Sequence, residues 1–176
     1  MKVIYLWLIR IISRLFQFRR KRNMTYFVSF DNNLDLIKAI AKKLPNKKRL
    51  TVFYDPSIEA AATDLAARGI RTIQFHNNLS FVFKYIPLVM TSRVLFCDNY
   101  YAFLGGLVHP KRLKIVQLWH ANGAIKRFGW EDYATKNRSK AAKSRFQSVY
   151  NHFDDYVVAS KAMGQVFQNS YHVSED

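Results

Sequence analysis

The sequence of 176 residues is poor in cysteine and glycine, and these shortages exclude several kinds of site. Its single cysteine, Cys97, excludes an internal disulfide framework and fits a reducing compartment. Because no C-x-x-C or H-E-x-x-H spacing occurs, the sequence gives no support for a metal site. The six glycines form neither a G-x-G-x-x-G motif nor a P-loop, so a standard dinucleotide or NTP site is unsupported and no cofactor is expected.

Acidic residues are also scarce. Only 12 stand against 28 lysines and arginines, which gives a formal charge of +16. Such an excess predicts a polyanionic partner, for example nucleic acid, anionic lipid or a phosphorylated substrate. Residues 1–24 contain seven basic and no acidic residues, and residues 111–149 contain ten basic and two acidic residues. Two separate basic regions predict two separate contacts.

A long hydrophobic run is missing as well. The uncharged run over residues 3–9 is far shorter than the roughly 20 residues that a membrane-spanning helix needs. Arg10 and Arg14 interrupt the apolar residues that follow it. A signal peptide does not fit either, because the basic cluster follows the apolar region and no small-residue cleavage site comes after it.

Residues 1–23 instead predict an amphipathic helix. Arg10, Arg14 and Lys21 recur on one side at helical spacing, and apolar residues cover most of the rest. An apolar side that includes Trp7 and ends in a basic cluster fits a helix lying in a membrane interface. The predicted membrane contacts are Trp7, Arg10, Arg14, Arg19, Arg20, Lys21 and Arg22. One alternative is a helix docked on the protein's own core, and a less favoured one is a nucleic-acid-binding arm, which would not need so much apolar surface.

Residues 24–176 predict one folded domain, because 49% hydrophobic and 23% charged residues are ordinary values for a globular protein. Apolar segments typical of strands alternate with helical segments along the chain. The predicted strands are 25–30, 50–54, 70–75, 93–98, 114–120 and 154–160, and the predicted helices are 33–44, 56–69, 80–92, 139–153 and 161–170. In the third of these helices, Pro87 is expected to bend the helix or to end it early. This alternation predicts an α/β fold with a Rossmann-like parallel sheet and helices on both faces.

Three of the predicted strands end in polar or titratable residues: Asp98 with Asn99, Trp119 with His120, and Ser160. Ligands of parallel sheets bind beyond the carboxyl ends of the strands, so these residues would share one rim. His120 is the candidate catalytic residue, because an imidazole titrates near neutrality and accepts a proton from an attacking hydroxyl. The alternative is a hydrogen-bonded structural histidine. Asp98 either orients a ligand or caps the next turn.

The segment after His120 has the features of an anion site. Asn122 and Gly123 permit unusual backbone angles, and Gly123 lets a substrate approach the main chain. Lys126 and Arg127 add charge beside the free N–H groups of a predicted helix start, unless both are simply solvated. The predicted substrate-binding residues are Asp98, Asn99, Asn122, Gly123, Lys126 and Arg127. A base, an anion cradle and cations together predict transfer of a phosphoryl-linked group.

Two other features have more ordinary interpretations. Tyr100 and Tyr101 either stack on a sugar or pack in the core, and the core is favoured. The basic run over residues 136–145 is interpreted as a solvated helix face.

The stretches "DNYYAFLGGL" (98–107) and "KIVQLWHANGAIKRFGWED" (114–132) resemble the CDP-glycerol glycerophosphotransferase family of teichoic-acid synthesis, and most of all its primase branch. The resemblance extends over the whole chain. Its most specific part is the tryptophan–histidine pair with Lys126 and Gly129 downstream. Many family members have glycine directly after the histidine, where this chain has Ala121.

This resemblance implies the N-terminal, acceptor-side half of a GT-B transferase, with His120 as general base on the acceptor hydroxyl. It implies CDP-glycerol as the donor and a lipid-linked saccharide or glycerol-phosphate chain as the acceptor. It also implies peripheral attachment to an anionic membrane surface at the cytoplasmic face of the cell membrane. The C-terminal nucleotide-binding domain of that fold has no counterpart here, so we expect the chain to be incomplete and inactive alone.

Two functions of other classes remain open. A non-catalytic membrane- or polyanion-binding module would use the same charge of +16. An RNA-binding protein is disfavoured, because no RNA-recognition, KH or double-stranded-RNA motif occurs and the aromatic residues are not interleaved with the basic runs. No nucleic-acid partner is therefore expected.

Overall fold

The computed structural model describes residues 2–119 and 128–173. The strands are β1 (Asn23–Val28), β2 (Leu50–Tyr54), β3 (Arg71–Gln74), β4 (Ser92–Cys97), β5 (Lys114–Gln117) and β6 (Asp155–Tyr156). They form one sheet in the order β3-β2-β1-β4-β5-β6, and every pair of neighbours is parallel. The helices are α1 (Lys2–Phe16), α2 (Leu34–Lys43), α3 (Glu59–Ala67), α4 (Ile86–Val89), α5 (Tyr133–Lys136), α6 (Lys140–Tyr150) and α7 (Lys161–Tyr171).

Both faces of the sheet are covered by helices. Tyr26 and Val28 of β1 pack on one face against Ile37 of α2 and Leu65 of α3. Phe27, between them in sequence, packs on the other face, where α1, α4, α6 and α7 contribute to the core. Successive strand residues point to opposite faces, so this alternation places β1 at the centre of two hydrophobic layers. The predicted Rossmann-like parallel sheet is confirmed.

Aromatic rings dominate the second of these layers. Phe27 stacks on Phe53 with ring centroids 4.7 Å apart, and Phe103 lies 4.8 Å from Phe27. Aromatic pairs of this kind stabilise a core by about 0.5–1.5 kcal/mol beyond the burial of their area. Cys97 belongs to the same layer, and burial raises the pKa of its thiol. The thiol therefore stays protonated and packs as a small apolar group.

Three predicted elements are shorter or broken in the structure. The helix expected over residues 80–92 is a π-helical turn followed by the short α4, whose first turn contains Pro87. Proline is tolerated at a helix start but cannot continue a helix from the preceding turn. Strand β5 ends before residue 120, because Trp119 adopts a left-handed backbone with φ 60°. Only two residues of the strand expected over 154–160 pair with the sheet.

Helix α1 docks on the protein's own core along one side. Ile9 is fully buried, and the buried Ser13 hydroxyl accepts a hydrogen bond from the Val108 N–H at 2.9 Å. Gly106 brings the backbone of a loop against the helix, since a Cβ there would lie 2.5 Å from the Leu6 carbonyl oxygen. The helix is therefore an integral part of the fold, which is what the core-docking alternative predicts.

The opposite side of α1 leaves a stripe of apolar side chains in solvent. Its members are Val3, Ile4, Trp7 and Leu15, and Phe18 extends it beyond the helix end. The predicted membrane contacts Arg10 and Arg14 flank this stripe and are also exposed. One helix thus has a docked side and an outward apolar side. Docking on the core and contact with a membrane are therefore compatible interpretations of the same helix. Its contact with a membrane stays a prediction.

The predicted N-terminal helix over residues 1–23 ends earlier, at Phe16. The basic cluster that follows is irregular and bends back toward the sheet. Arg19 lies over the Phe16 ring at 4.5 Å, and the amine of Lys21 donates to the Met90 carbonyl. Partial burial lowers the pKa of Lys21. Of the helices that the structure describes, none is both long and apolar enough to cross a bilayer.

Candidate active site

The carboxyl ends of the strands form a rim at which the chain changes direction across the sheet. The chain runs outward from β1 through β2 to β3, and then returns to place β4 against the other side of β1. Sheets of this kind bind their ligands in the crevice at such a switch point. Ser29 and Asp98, which follow β1 and β4, lie at that position.

Asp98 is fully buried, and its carboxylate holds the turn that follows β1. It accepts hydrogen bonds from the backbone N–H groups of Ser29 at 2.8 Å and Phe30 at 3.1 Å, and from the Tyr101 hydroxyl at 3.2 Å. A buried charge is stable only when such donors surround it. Asp98 thus caps a turn, which is one of the two roles predicted for it. The turn is the one after the neighbouring strand β1 rather than the one after its own strand β4. A ligand contact of Asp98 stays a prediction.

The two tyrosines that follow occupy different environments. Tyr101 is buried, its hydroxyl lies 2.7 Å from that of Ser29, and its pKa is raised by burial and by the charge of Asp98. Tyr100 remains 40% exposed at the rim. The half-buried Asn99 turns its side-chain oxygen to the Tyr100 N–H at 2.7 Å. Tyr101 therefore belongs to the core, whereas Tyr100 is accessible to a ligand.

Trp119 fixes the point at which the chain leaves β5. Its carbonyl accepts a hydrogen bond from the Asn33 side chain at 2.8 Å. Its ring stacks on Phe128 at 4.8 Å and meets the edge of Phe167 at 5.1 Å. Because Trp119 and Phe128 are the residues on either side of segment 120–127, their stacking brings both ends of that segment together at the rim.

The predicted base and most of the predicted substrate-binding residues lie within that segment. They are His120, Asn122, Gly123, Lys126 and Arg127, and all lie outside the described residues. Their roles stay predictions. Ser160, the other predicted rim residue, caps α7 by accepting the Met163 N–H at 3.2 Å. Within the two described ranges, no group of three His, Cys, Asp or Glu residues is placed to hold a metal ion.

A cavity of about 520 Å³ opens at the rim between α1 and α6, and we call it the rim cavity. Three parts of the chain form its walls: the first turns of α1, the loops after β3 and β4, and the beginning of α6. It is lined by Lys2, Tyr5, Leu6, Asn77, Tyr100, Ala102, Arg138, Ala142, Arg145 and Phe146. The sequence did not point to this cavity, because its walls are far apart along the chain.

The rim cavity is electropositive. Burial raises the pKa of Tyr100, and the nearby charges of Arg138 and Arg145 offset part of that rise. Across residues 2–119 and 128–173, no carboxylate lies within ion-pairing distance of either arginine. Arg138 lies over the ring of Phe146 at 5.8 Å, an arrangement that favours a cation. A part of the run interpreted as a solvated helix face thus lines a cavity.

A sequence signal for these arginines exists. Arg145 and the small Ala142 are three residues apart on one face of α6, and Arg138 lies just before Ser139, the N-cap of that helix. The spacing alone does not distinguish a solvated face from a lined cavity. The distinction requires Tyr5 and Tyr100, which reach the same place from other parts of the fold.

A second and larger cavity lies at the opposite end of the sheet, beside the amino ends of β4 and β5, and we call it the amino-end cavity. Its volume is about 850 Å³. It is lined by Gln17, Phe18, Arg19, Arg20, Lys21, Arg93, Val94, Pro110, Lys111, Arg112 and Lys114. Three of the predicted membrane contacts, Arg19, Arg20 and Lys21, therefore surround it.

Comparison with known proteins identifies relatives over almost the whole chain. The family model for CDP-glycerol:poly(glycerophosphate) glycerophosphotransferases matches residues 10–176. A teichoic acid glycerol-phosphate primase of Bacillus subtilis is 28% identical over 98% of this chain and 45% of its own length. The protein of the same description from Staphylococcus aureus is 30% identical over 99% of this chain and 47% of its own length. The chain spans about half the length of the curated relatives that it matches.

Proposed function

Because the chain belongs to the CDP-glycerol:poly(glycerophosphate) glycerophosphotransferase family, we propose that it is the acceptor-side half of a membrane-associated glycerophosphotransferase of the GT-B type. The enzyme would transfer glycerol phosphate from CDP-glycerol to a lipid-linked saccharide or glycerol-phosphate chain, as the glycerol-phosphate primases among its relatives suggest. One observation carries the proposal above the others. Trp119 and Phe128 stack at the rim of a parallel sheet, which holds both ends of the histidine-bearing segment where such sheets bind ligands.

In the proposed reaction, an acceptor hydroxyl attacks the glycerol-linked phosphorus of CDP-glycerol. The new bond joins the acceptor oxygen to phosphorus, the bond from phosphorus to CMP breaks, and CMP leaves with its electron pair. His120 takes the hydroxyl proton as general base. Lys126, Arg127 and the neighbouring backbone N–H groups offset the charge that develops on the phosphoryl oxygens.

The donor would bind between two halves of such an enzyme. The matched relatives are about twice the length of this chain, which accounts for 45% and 47% of two of them. We assign the wall that holds the cytidine nucleotide to the part of these relatives that the chain does not match. On that basis the 176 residues alone would not turn over CDP-glycerol.

Membrane attachment follows from the outward side of α1. Its apolar stripe is well exposed, with Val3 68%, Trp7 59% and Leu15 69% accessible. Arg10 and Arg14 flank the stripe, and the basic amino-end cavity lies at its far end. An apolar stripe buried in a membrane interface, with basic residues beside anionic head groups, gives peripheral attachment. We place the protein at the cytoplasmic face of the cell membrane, where a nucleotide-linked donor is supplied.

A non-catalytic membrane- or polyanion-binding module is the second candidate. The amino-end cavity favours it, because seven basic side chains line this cavity at the end of the sheet remote from the rim. Such a module would bind anionic vesicles equally well with or without His120. Catalysis, by contrast, would require both the rim and the membrane surface.

The deciding experiment is His120→Ala in the full-length protein, with His76→Ala as the control. His76 is exposed and follows the outer strand β3, so its loss removes an imidazole without touching the proposed site. We expect His120→Ala to lower kcat about 10²–10⁴-fold, measured as CMP release and as transfer of labelled glycerol phosphate to a lipid-linked acceptor. His76→Ala should match the wild type. Unchanged transfer by His120→Ala would remove this residue as the base.

A further inference from the structure

The rim cavity combines features that individually are ordinary and together match one kind of ligand. Lys2, Arg138 and Arg145 bring three positive charges to its wall, and its lining contains no aspartate or glutamate. In the described part of the chain, neither arginine forms an ion pair. Arginine forks recognise the oxygens of phosphate groups, and unneutralised cations that converge on one cavity favour an anion with more than one charge.

Tyr5 contributes to the same wall through its aromatic ring. Its hydroxyl is sealed from the cavity, and it has no hydrogen-bond partner among residues 2–119 and 128–173. Burial raises the pKa of Tyr5 to about 12, so the hydroxyl keeps its proton at neutral pH. The wall beside the arginines is therefore uncharged, and a buried donor without an acceptor costs stability there.

The apolar side of the cavity continues onto the surface of the protein. Leu6 and Phe146 line the cavity itself. Val3, Ile4 and Trp7, in the same turns of α1, are 68%, 64% and 59% exposed. An anionic group in the cavity would therefore lie beside an apolar stripe long enough to take a hydrocarbon chain.

The cavity also connects to the histidine-bearing segment. A smaller cavity of about 230 Å³ shares Tyr100, Arg138 and Phe146 with it and extends to Gly129. Gly129 follows Phe128, at which segment 120–127 returns to the rim. Tyr100 and Tyr150, which also line the smaller cavity, meet edge to face at 6.1 Å. Aromatic rings thus line both cavities between α1 and Gly129.

We propose that the rim cavity binds the multiply charged phosphate head group of a long-chain lipid, as distinct from the singly charged phosphodiester of a bilayer phospholipid. Arg138 and Arg145 bind the phosphate oxygens, and the hydrocarbon chain lies on the exposed stripe of α1. The group attached to the phosphate extends through the smaller cavity toward Gly129. The identity of this lipid as the acceptor rests on the proposed function, whereas the binding site itself does not.

The test compares two double variants of the full-length protein. One combines Arg138→Gln with Arg145→Gln, and the other, the control, combines Lys140→Gln with Lys143→Gln. Both double variants remove two charges from residues 138–145, at or just before the start of α6, but only the first pair lines the rim cavity. Binding is measured by co-sedimentation with neutral phosphatidylcholine vesicles that contain a small fraction of a long-chain alkyl diphosphate. We expect at least a tenfold loss for the arginine pair and less than a twofold loss for the lysine pair.

Two further probes separate the sources of phosphate. Free inorganic pyrophosphate should compete poorly, because it lacks the chain that lies on α1. Vesicles of phosphatidylglycerol should be bound about equally by the two double variants. Equal losses for both pairs on the alkyl diphosphate, or competition by pyrophosphate at the concentration of the lipid, would overturn the proposal. Thermal melting of each variant identifies any loss that is due to unfolding.

Transfer kinetics distinguish failure of this inference from failure of the proposed function. If the site binds the acceptor, the arginine pair raises the acceptor KM at least tenfold and leaves the KM for CDP-glycerol unchanged. Transfer with an unchanged acceptor KM would refute the inference and leave the function intact. Selective loss of lipid-diphosphate binding by the arginine pair, in a protein that transfers nothing, would refute the function and leave the site intact.

Discussion

Helix α1 connects two basic cavities at opposite ends of the sheet, and the two differ in what surrounds their charges. In the amino-end cavity, seven of the eleven lining residues are basic, among them Arg19, Arg20 and Arg112. In the rim cavity, three basic residues stand beside tyrosine and phenylalanine rings. Dense charge around a wide opening attracts any anionic surface, whereas a few cations among aromatic rings suit one group of defined shape.

The comparison also corrects how charge along a sequence is interpreted. The basic regions over residues 1–24 and 111–149 predict two contacts, one from each region. In the fold, Lys2 of the first region and Arg138 of the second both line the rim cavity, and Arg19 and Arg112 both line the amino-end cavity. Each cavity therefore draws on both regions. Two contacts stay a prediction, and the residues of each would be grouped by the end of the sheet rather than by position in the chain.

The largest expected effect comes from a change that disturbs both cavities at once. In Gly106→Ala, the new Cβ would lie 2.5 Å from the Leu6 carbonyl oxygen, a backbone atom that moves only with α1. We expect the free energy of unfolding to fall by about 2 kcal/mol, because forcing extra volume into a packed contact costs roughly that amount. Denaturant unfolding measures this change in stability. Binding of the alkyl diphosphate at the rim cavity and of phosphatidylglycerol vesicles at the amino-end cavity should weaken together.

The control for Gly106→Ala is Gly164→Ala. Gly164 lies in α7, and a Cβ there meets its nearest neighbour at an ordinary 3.7 Å. Alanine in a helix should leave the protein as stable as before or stabilise it by up to about 1 kcal/mol. Loss of binding at only one end in Gly106→Ala would show that α1 does not couple the two cavities.

The fold was largely predictable, because strands β1, β2 and β4 are short apolar runs whose pattern survives in the structure. The helix from Ser80 with a bend or early end at Pro87 was confirmed, since helical residues run through Val89. The strand over 114–120 was predicted too long, because the left-handed backbone of Trp119 leaves no trace in hydropathy. Asp98 was placed at the rim, but its partners Ser29 and Phe30 are 69 and 68 residues away in sequence. Hydrophobic periodicity predicts which side of one helix or strand is buried. It does not predict contacts between residues so far apart in sequence.

A smaller effect is expected when charges are removed beside the amino-end cavity, compared with the same number removed from the opposite face of the sheet. Arg19→Gln with Arg20→Gln removes two charges at the end of α1, and Lys42→Gln with Lys43→Gln removes two exposed charges from α2 on the other face. We expect the first pair to weaken binding to phosphatidylglycerol vesicles about fivefold for each residue, since each basic residue near an anionic surface contributes roughly 1 kcal/mol.

Vesicle flotation at rising salt checks this difference, because screening should reduce the effect of the arginine pair most. The lysine pair should bind as the wild type does. Equal losses for the two pairs would mean that net charge, rather than the end of the sheet, governs attachment. Binding to the alkyl diphosphate in neutral vesicles should be nearly unaffected in both, because that probe reports the rim cavity.

The smallest expected effect is on stability and leaves binding unchanged. Tyr5→Phe removes the buried hydroxyl that has no partner in the described part of the chain, so the protein should gain about 1 kcal/mol in its free energy of unfolding. Binding of the alkyl diphosphate should be unchanged, because the hydroxyl is sealed from the rim cavity and both arginines remain. A hydroxyl satisfied inside the protein would instead make the variant less stable.

The pH dependence of the stability difference gives a second test of this prediction. Burial raises the pKa of Tyr5 in the folded protein to about 12 from the ordinary 10.0, so the unfolded chain loses the proton first as pH rises. The wild type should therefore lose stability relative to Tyr5→Phe between pH 10 and pH 12, and the advantage of the variant should grow across that interval. Denaturant unfolding of both proteins from pH 8 to about pH 12 measures the difference directly. A constant difference would mean that the Tyr5 hydroxyl is solvated rather than buried.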